Sequence, residues 1–366
     1  MTDETKPGPR STPRRTSLLP DRFPVRRTIL ILLSIAIVVG VTLGTVATLR
    51  EGRFTGAAWQ GFVISGIARG SVYALIALGY TLVYGILFMI NFAHGEVFMS
   101  GAYTAFFVAA ALAEHNFLNA NPIVSIVLIL LVSMVTSTLV ALLLERVAYR
   151  PLRGAPRLVP LITAIGASLF LQYTFRGMYG ASSRAYPQIE VLTGNWRVLG
   201  VTVARTQVIV IVGALILMLG LYAFIARTKT GRSMRAVGED KEIASLMGIN
   251  VDRTIVTTFA IGGMLAGAAG ILYIFLFNQV IFTMGFVPGI KAFTAAVLGG
   301  IGSITGAALG GLLLGLLEAV GPVLFLSGAG VPSPNQLQPV IAFGILVLVL
   351  IFRPGGILGS PDEKRA

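Results

Sequence analysis

Apolar runs of about 20 residues recur along this chain, and that recurrence restricts its fold more than any other feature. A helix of that length matches the roughly 30 Å hydrocarbon layer of a bilayer, and a helix keeps all its backbone hydrogen bonds within itself. Of 366 residues, 55% are hydrophobic and 12% charged, so nothing remains to build a sizeable soluble domain. The 43 glycines suit close helix packing, because small residues let backbones approach. The sequence therefore predicts an all-α, polytopic helical membrane protein with about eight to ten transmembrane helices.

A net charge of +13 would suit a nucleic-acid partner, but its placement does not. Seven of the 28 basic residues lie in 1–28, four in 145–157, six in 227–253 and three in 353–366. Basic residues flanking spans mark the cytoplasmic side, so the charge reports topology and no nucleic acid is expected. With those segments inside, span 28–49 exits and 58–80 returns. Residues 81–96 stay near the inner side, with a re-entrant segment as one option. Span 97–113 exits to a loop at 114–122, and 123–144 returns to the basic loop 145–157. Span 158–176 exits to a long polar loop at 177–204, 205–226 returns and 254–277 exits. The glycine-studded tract 286–325 supplies two crossings or a re-entrant hairpin, and 337–352 returns. Both termini are then cytoplasmic. Residues 1–27, with five prolines among arginines, read as a basic disordered tail. Residues 28–57 read as a retained first span and outer loop, because no small-residue cleavage site follows the apolar run. Residues 360–366 form a short cytoplasmic tail.

Several chemistries are absent. There is no cysteine, which removes thiolate chemistry. No Gly-Lys dipeptide occurs, so the chain has no GxxxxGK[ST] phosphate loop and any ATP must be bound elsewhere. The two histidines, His94 and His115, do not complete a zinc site with Glu96. We expect no catalytic residue, no metal and no cofactor on this chain.

Between the runs 205–226 and 254–277 lies RTKTGRSMRAVGEDKEIASLMGINVDR, residues 227–253. Within it, 239–247 can form a short amphipathic helix with Ile243, Leu246 and Met247 on one face. Gly248 then falls where a helix C-terminus favours glycine. Such a helix, displayed between two spans, offers a docking surface; the alternative is a solvated loop.

Arg69, Asn91, His94 and Glu96 sit beside or inside apolar spans, where ionisable groups are costly and mark function by default. Asn91, His94 and Glu96 cluster at the inner mouth on this span count. They are either a substrate-pathway or gating segment, or interfacial caps of two spans. Lys291 and Glu318 bracket the glycine-rich tract and either pair across it or sit one at each interface. Gly263 and Gly267 are four apart, as are Gly302, Gly306 and Gly310, which is a helix-packing pattern. The run 298–306 is denser than packing needs. Gly299, Gly300 and Gly302, beside Ser303, are expected to break the helix and turn backbone groups toward a polar cavity on the substrate pathway.

Four stretches carry a family resemblance. GSVYALIALGYTLVYGILFMINFAHGE (70–96), GRSMRAVGEDKEIASLMGINVDRTIVTTFAIGGMLAGAAGILY (231–273), GIKAFTAAVLGGIGSITGAALGGLLLGLLEA (289–319) and FGILVLVLIFRPGGILG (343–359) resemble the inner-membrane permease subunits of high-affinity branched-chain amino acid ABC importers. The resemblance spans a permease domain at 58–359 and implies a multi-pass protein of the bacterial inner membrane. It implies a second homologous permease subunit, two cytoplasmic ATPase subunits carrying the ATP and magnesium, and an extracytoplasmic solute-binding protein that delivers an amino acid. It maps 227–253 onto the ATPase-coupling segment. Glu239, Ala244 and Gly248 fall at the positions of the EAA---G signature, with Asp240 and Lys241 where alanines are typical. Asp240, Leu246 and Ile249 complete the expected coupling set. Related permeases serve urea, short amides or other small polar solutes, which is the alternative reading. An ion-coupled secondary carrier is more distant, because only Glu96 and Glu318 could form a membrane carboxylate relay.

Overall fold

The computed structural model describes residues 25–358 apart from 157, 199, 329 and 354. Most of the expected N-terminal tail, and the C-terminal tail, lie outside the described residues. Nine described helical segments are long and apolar enough to cross a membrane. The chain runs through α1 (Val25–Glu51), α2 (Gly56–Leu87), α3 (His94–Glu114), α4 (Phe117–Ala120), α5 (Pro122–Leu144) and α6 (Leu158–Tyr179). It continues through α7 (Arg205–Arg227), α8 (Lys229–Glu239), α9 (Lys241–Leu246), α10 (Val251–Phe277), α11 (Phe286–Gly299), α12 (Ile304–Leu326) and α13 (Gln338–Phe352).

Helix α2 is the centre of the bundle. Its residues from Gly70 to Val83 are all buried, as expected of a helix that is apolar all round. It packs on α12, α10, α11 and α7. The contacts are backbone on backbone: a methyl group added at Gly70 would lie 2.9 Å from the Gly311 carbonyl oxygen, and Gly315 abuts Gly70. Helix α10 packs on α5 in the same way. A methyl group at Gly263 would lie 2.6 Å from Ala141 Cβ, and one at Gly267 would lie 2.8 Å from Met134 Cα. Gly306 and Gly310 instead face α11, against Gly299 and Ala295.

The two halves repeat one pattern in opposite directions. Helices α2 and α10 each end at a non-glycine residue in the left-handed region, Phe88 (φ 56°) and Asn278 (φ 52°). A short irregular stretch follows, then a buried helix, α3 in one half and α11 in the other. Next comes a helix, α5 or α12, that packs on the other half's central helix. The helices that follow the breaks meet where Gly95 abuts Gly285 and Gly289. At about 1.5 Å per residue α11 is about 21 Å long, too short to span alone. The tract 286–325 is therefore one short helix and one long one.

Three expectations change. Residues 81–87 continue α2 rather than leaving it, because the apolar helical pattern persists to Leu87 and breaks only at Phe88. Helix α3 starts at His94, three residues before the expected 97. The polar loop 177–204 is structured, with β2 (Asn195–Val198) paired to β3 (Val201–Ala204). Beside it β1 (Arg184–Ala185) pairs with β4 (Gln279–Val280), the segment after α10. This marks the hairpin face of the bundle; α8 and α9 mark the opposite face.

Gly267→Leu should destabilise the fold by about 1–3 kcal/mol or more, because the α5 backbone must move. Gly344→Ala, on α13 with nothing within 4 Å of the added methyl, should be neutral or slightly stabilising. Thermal unfolding of the detergent-solubilised protein separates the two.

Candidate functional site

The polar island folds as a series of capped helices. The Thr228 hydroxyl accepts the Gly231 N–H at 3.0 Å and starts α8. The Asp240 carboxylate accepts the N–H groups of Glu242 and Ile243 at 2.8 and 2.9 Å and starts α9. The Asn250 side chain accepts the Arg253 N–H at 2.8 Å and starts α10. Each satisfies amides that a helix start leaves open. The Asp240 cap is why 239–247 is not one helix: Glu239 ends α8, and α9 begins after the cap. Gly248 adopts φ +82°, its N–H reaches the Ser245 carbonyl at 3.0 Å, and the Ile249 N–H reaches the Ala244 carbonyl at 3.0 Å. This paired closure needs a left-handed residue, the role glycine fills without strain.

Helix α8 lies on the bundle and α9 stands away from it. Met234 and Val237 of α8 are buried, and a methyl group at Gly238 would sit 2.8 Å from the Gly85 carbonyl oxygen of α2. On α9 only Ala244 is buried. Ile243, Leu246 and Met247 are 59%, 86% and 78% exposed. Three adjacent large apolar side chains held into solvent by caps are costly unless something covers them.

An ion cluster ties this face to the bundle. Arg153 pairs with buried Glu145, just after α5, and with Asp252 in the first turn of α10. Arg150 approaches Asp252 at 3.6 Å. Tyr149 donates to the Asn91 side chain at 2.6 Å, anchoring the stretch between α2 and α3. The Lys241 ammonium lies 5.8 Å over the Phe88 ring. Burial, and then the Arg153 charge, lower its pKa from the usual lysine value.

The residues expected on the substrate pathway divide into two groups. Asn91, His94 and Glu96 are buried within the subunit. The His94 ring packs on Gly79 and edge-on to Tyr80, 4.9 Å between centroids. Gly79 lies eight residues before the end of α2, so His94 is set back about 12 Å along that helix rather than lying at its mouth. Glu96 accepts from Gln172 at 2.7 Å and Ser168 at 3.3 Å, both on α6. Gly302 and Ser303, by contrast, line a cavity of about 640 Å³ with Arg235, Gly238 and Glu239 of α8 and Gly85 of α2. The helix break is made by Gly300 (φ +105°) and Gly302 (φ +96°), and Ser303 caps α12. The carbonyls of Leu298 and Gly299 do not open to a cavity. They accept the N–H groups of Ile357 and Leu358 at 2.8 and 3.0 Å, because the chain returns there after α13. Sequence patterns gave no sign of that long-range pairing.

Lys291 and Glu318 form a buried ion pair across α11 and α12, with the ammonium 5.7 Å over the Tyr73 ring. No group of three or more potential metal ligands occurs among the described residues.

Taken together, the bundle of apolar helices and the face of capped, exposed ones define a multi-pass membrane protein built to work with other chains. Comparison with known proteins gives its family. Residues 62–350 match the model for the permease component of branched-chain amino acid transport systems, and the chain belongs to that family. It is 46% identical over 306 residues to the high-affinity branched-chain amino acid transport system permease protein BraD of Pseudomonas aeruginosa, covering 83% of this chain and 96% of that one. It is 41% identical over 308 residues to the LivH permease proteins of Escherichia coli K12 and Salmonella typhimurium, with the same coverage.

Lys291→Met should cost about 3–5 kcal/mol by leaving the Glu318 carboxylate buried and unpaired, and Glu318→Leu should do the same to the ammonium. The double variant should recover most of that loss. Thermal unfolding of all three tests it.

Proposed function

We propose that this chain is the transmembrane subunit of an ATP-driven importer for branched-chain amino acids, working through α9. The carrying observation is the trio Ile243, Leu246 and Met247, held outward by the Asp240 cap and the Gly248 turn. In this reading two cytoplasmic ATPase subunits carry ATP and magnesium and grip α9. Glu239, Asp240, Ala244, Leu246, Gly248 and Ile249 form or shape the docking element. A second permease subunit completes the pathway, and an extracytoplasmic binding protein supplies substrate at the hairpin face. Both termini then lie on the ATPase side, α1 is an additional span packed on α12, and the membrane is the bacterial inner membrane.

The mechanism follows from the connections. Nucleotide-driven closure of the ATPases moves α9 as a rigid piece. The continuous path from α9 through Asn250 into α10 carries the motion to one central helix. The Arg153 pairs carry it to the end of α5, and Tyr149–Asn91 to the break before α3. The helices that flank both breaks then shift about the glycine crossing. Affinity for the amino acid resides mainly in the binding protein, so the permease needs few polar contacts.

Leu246→Glu combined with Met247→Glu should lower leucine uptake by cells at least about 30-fold, the effect of losing a principal docking contact. The amount of permease in the membrane should stay unchanged, and the ATPase subunits should no longer co-purify. Full uptake with retained ATPase would count against α9 as the docking element.

A further inference from the structure

The cavity on the α8–α9 face has the chemistry of an amino acid site. Its volume of about 640 Å³ lies within the range of about 300–1,000 Å³ usual for small-ligand sites. Leu82, Ile86, Ile301, Ile304 and Leu358 supply an apolar wall. Arg235 and Glu239, one turn apart on α8, place opposite charges at the same opening.

Two independent observations locate a carboxylate. The first is the start of α12, a helix of 23 residues. The first amides of a helix have no acceptor within it, and its dipole favours an anion there. Ser303 satisfies the Gly306 N–H at 3.1 Å, which leaves that of Ile304 at the cavity edge. The second is Thr81 of α2. It lines the same cavity, is 1% exposed, and its hydroxyl has no hydrogen-bond partner among the described residues. A buried hydroxyl without a partner is costly, and a ligand oxygen would satisfy it.

The geometry points to a binding site for a zwitterionic aliphatic amino acid in this cavity, separate from the binding protein and facing the ATPase side. The carboxylate lies at the α12 N-terminus near Thr81 and Arg235. The ammonium faces Glu239, and the side chain packs on Leu82, Ile86 and Leu358. The site rests on the transport reading above and adds a place in the permease where substrate is held before release. It also puts substrate against α8, so occupancy bears on the segment that leads to α9.

The test is equilibrium binding of tritiated leucine to the intact permease–ATPase complex in nanodiscs, without nucleotide or binding protein. ATP- and binding-protein-driven uptake by the same complex is measured in parallel. We expect saturable binding that isoleucine and valine displace and leucinamide, which lacks the carboxylate, does not. Thr81→Val should weaken it about tenfold, the effect of losing one hydrogen bond to a charged group. Leu358→Trp should abolish it by filling the cavity, and Leu309→Trp, on an exposed face of α12, should leave it unchanged. Melting temperatures of the variants within a few degrees of the parent's exclude misfolding. Uptake without saturable binding, or binding indifferent to Thr81→Val and Leu358→Trp, would overturn the site and leave the transport reading standing. Loss of both uptake and binding in the parent complex would overturn the transport reading too.

Discussion

Backbone-to-backbone packing at glycines is the constraint on which the rest of this structure depends. Lipid offers no hydrophobic force to hold apolar helices together, so close contact has to do it. Helix α2 can be buried on all sides only because Gly70, Gly311 and Gly315 let α12 approach to backbone distance. The same holds where Gly95 meets Gly285 and Gly289, at the junction of the two helices that follow the breaks. A side chain at any of these points would separate the halves. The breaks, the capped face and the cavity are all placed by that approach.

In the proposed mechanism the α8–α9 face turns this packing into a mechanical part. Helix α8 is fixed to the bundle by Met234, Val237 and the contact of Gly238 with α2. One capping residue later the chain is released, and α9 projects its apolar face outward. Polar interactions that are weak singly on a surface act together here, because Arg153 holds Glu145 and Asp252 at once. The end of α2 and the break between α11 and α12 lie near this face, with the 300–303 turn on the cavity wall and the chain's return at Ile357 and Leu358 closing α11. The end of α8, the cavity and the helix break are thus neighbours in space although far apart in sequence.

Much of this was legible from residue order. Apart from the end of α2, apolar run length located the spans to within a few residues, because the bilayer imposes a length that a sequence cannot disguise. The glycine at 248 and the glycine cluster before Ser303 announced a helix end and a helix break, since each is a local backbone requirement. What was hidden is non-local or competitive. Asp240 splits the expected 239–247 helix because its side chain outcompetes continuation. The amphipathic α8 went unread because its apolar residues are few and set among basic ones. His94 and Glu96 turned out to be packed inside the subunit, a placement decided by α6, Gly79 and Tyr80, which no spacing rule connects to them.

In the proposed mechanism motion enters this subunit through α9 from chains that hydrolyse ATP. The most direct measurement is solute flux in proteoliposomes reconstituted with the permease subunits, with and without the partner ATPases. Leucine should accumulate only when ATPases, ATP and binding protein are all present, and not in response to an imposed proton or sodium gradient. Gradient-driven uptake by liposomes lacking the ATPases would contradict that mechanism.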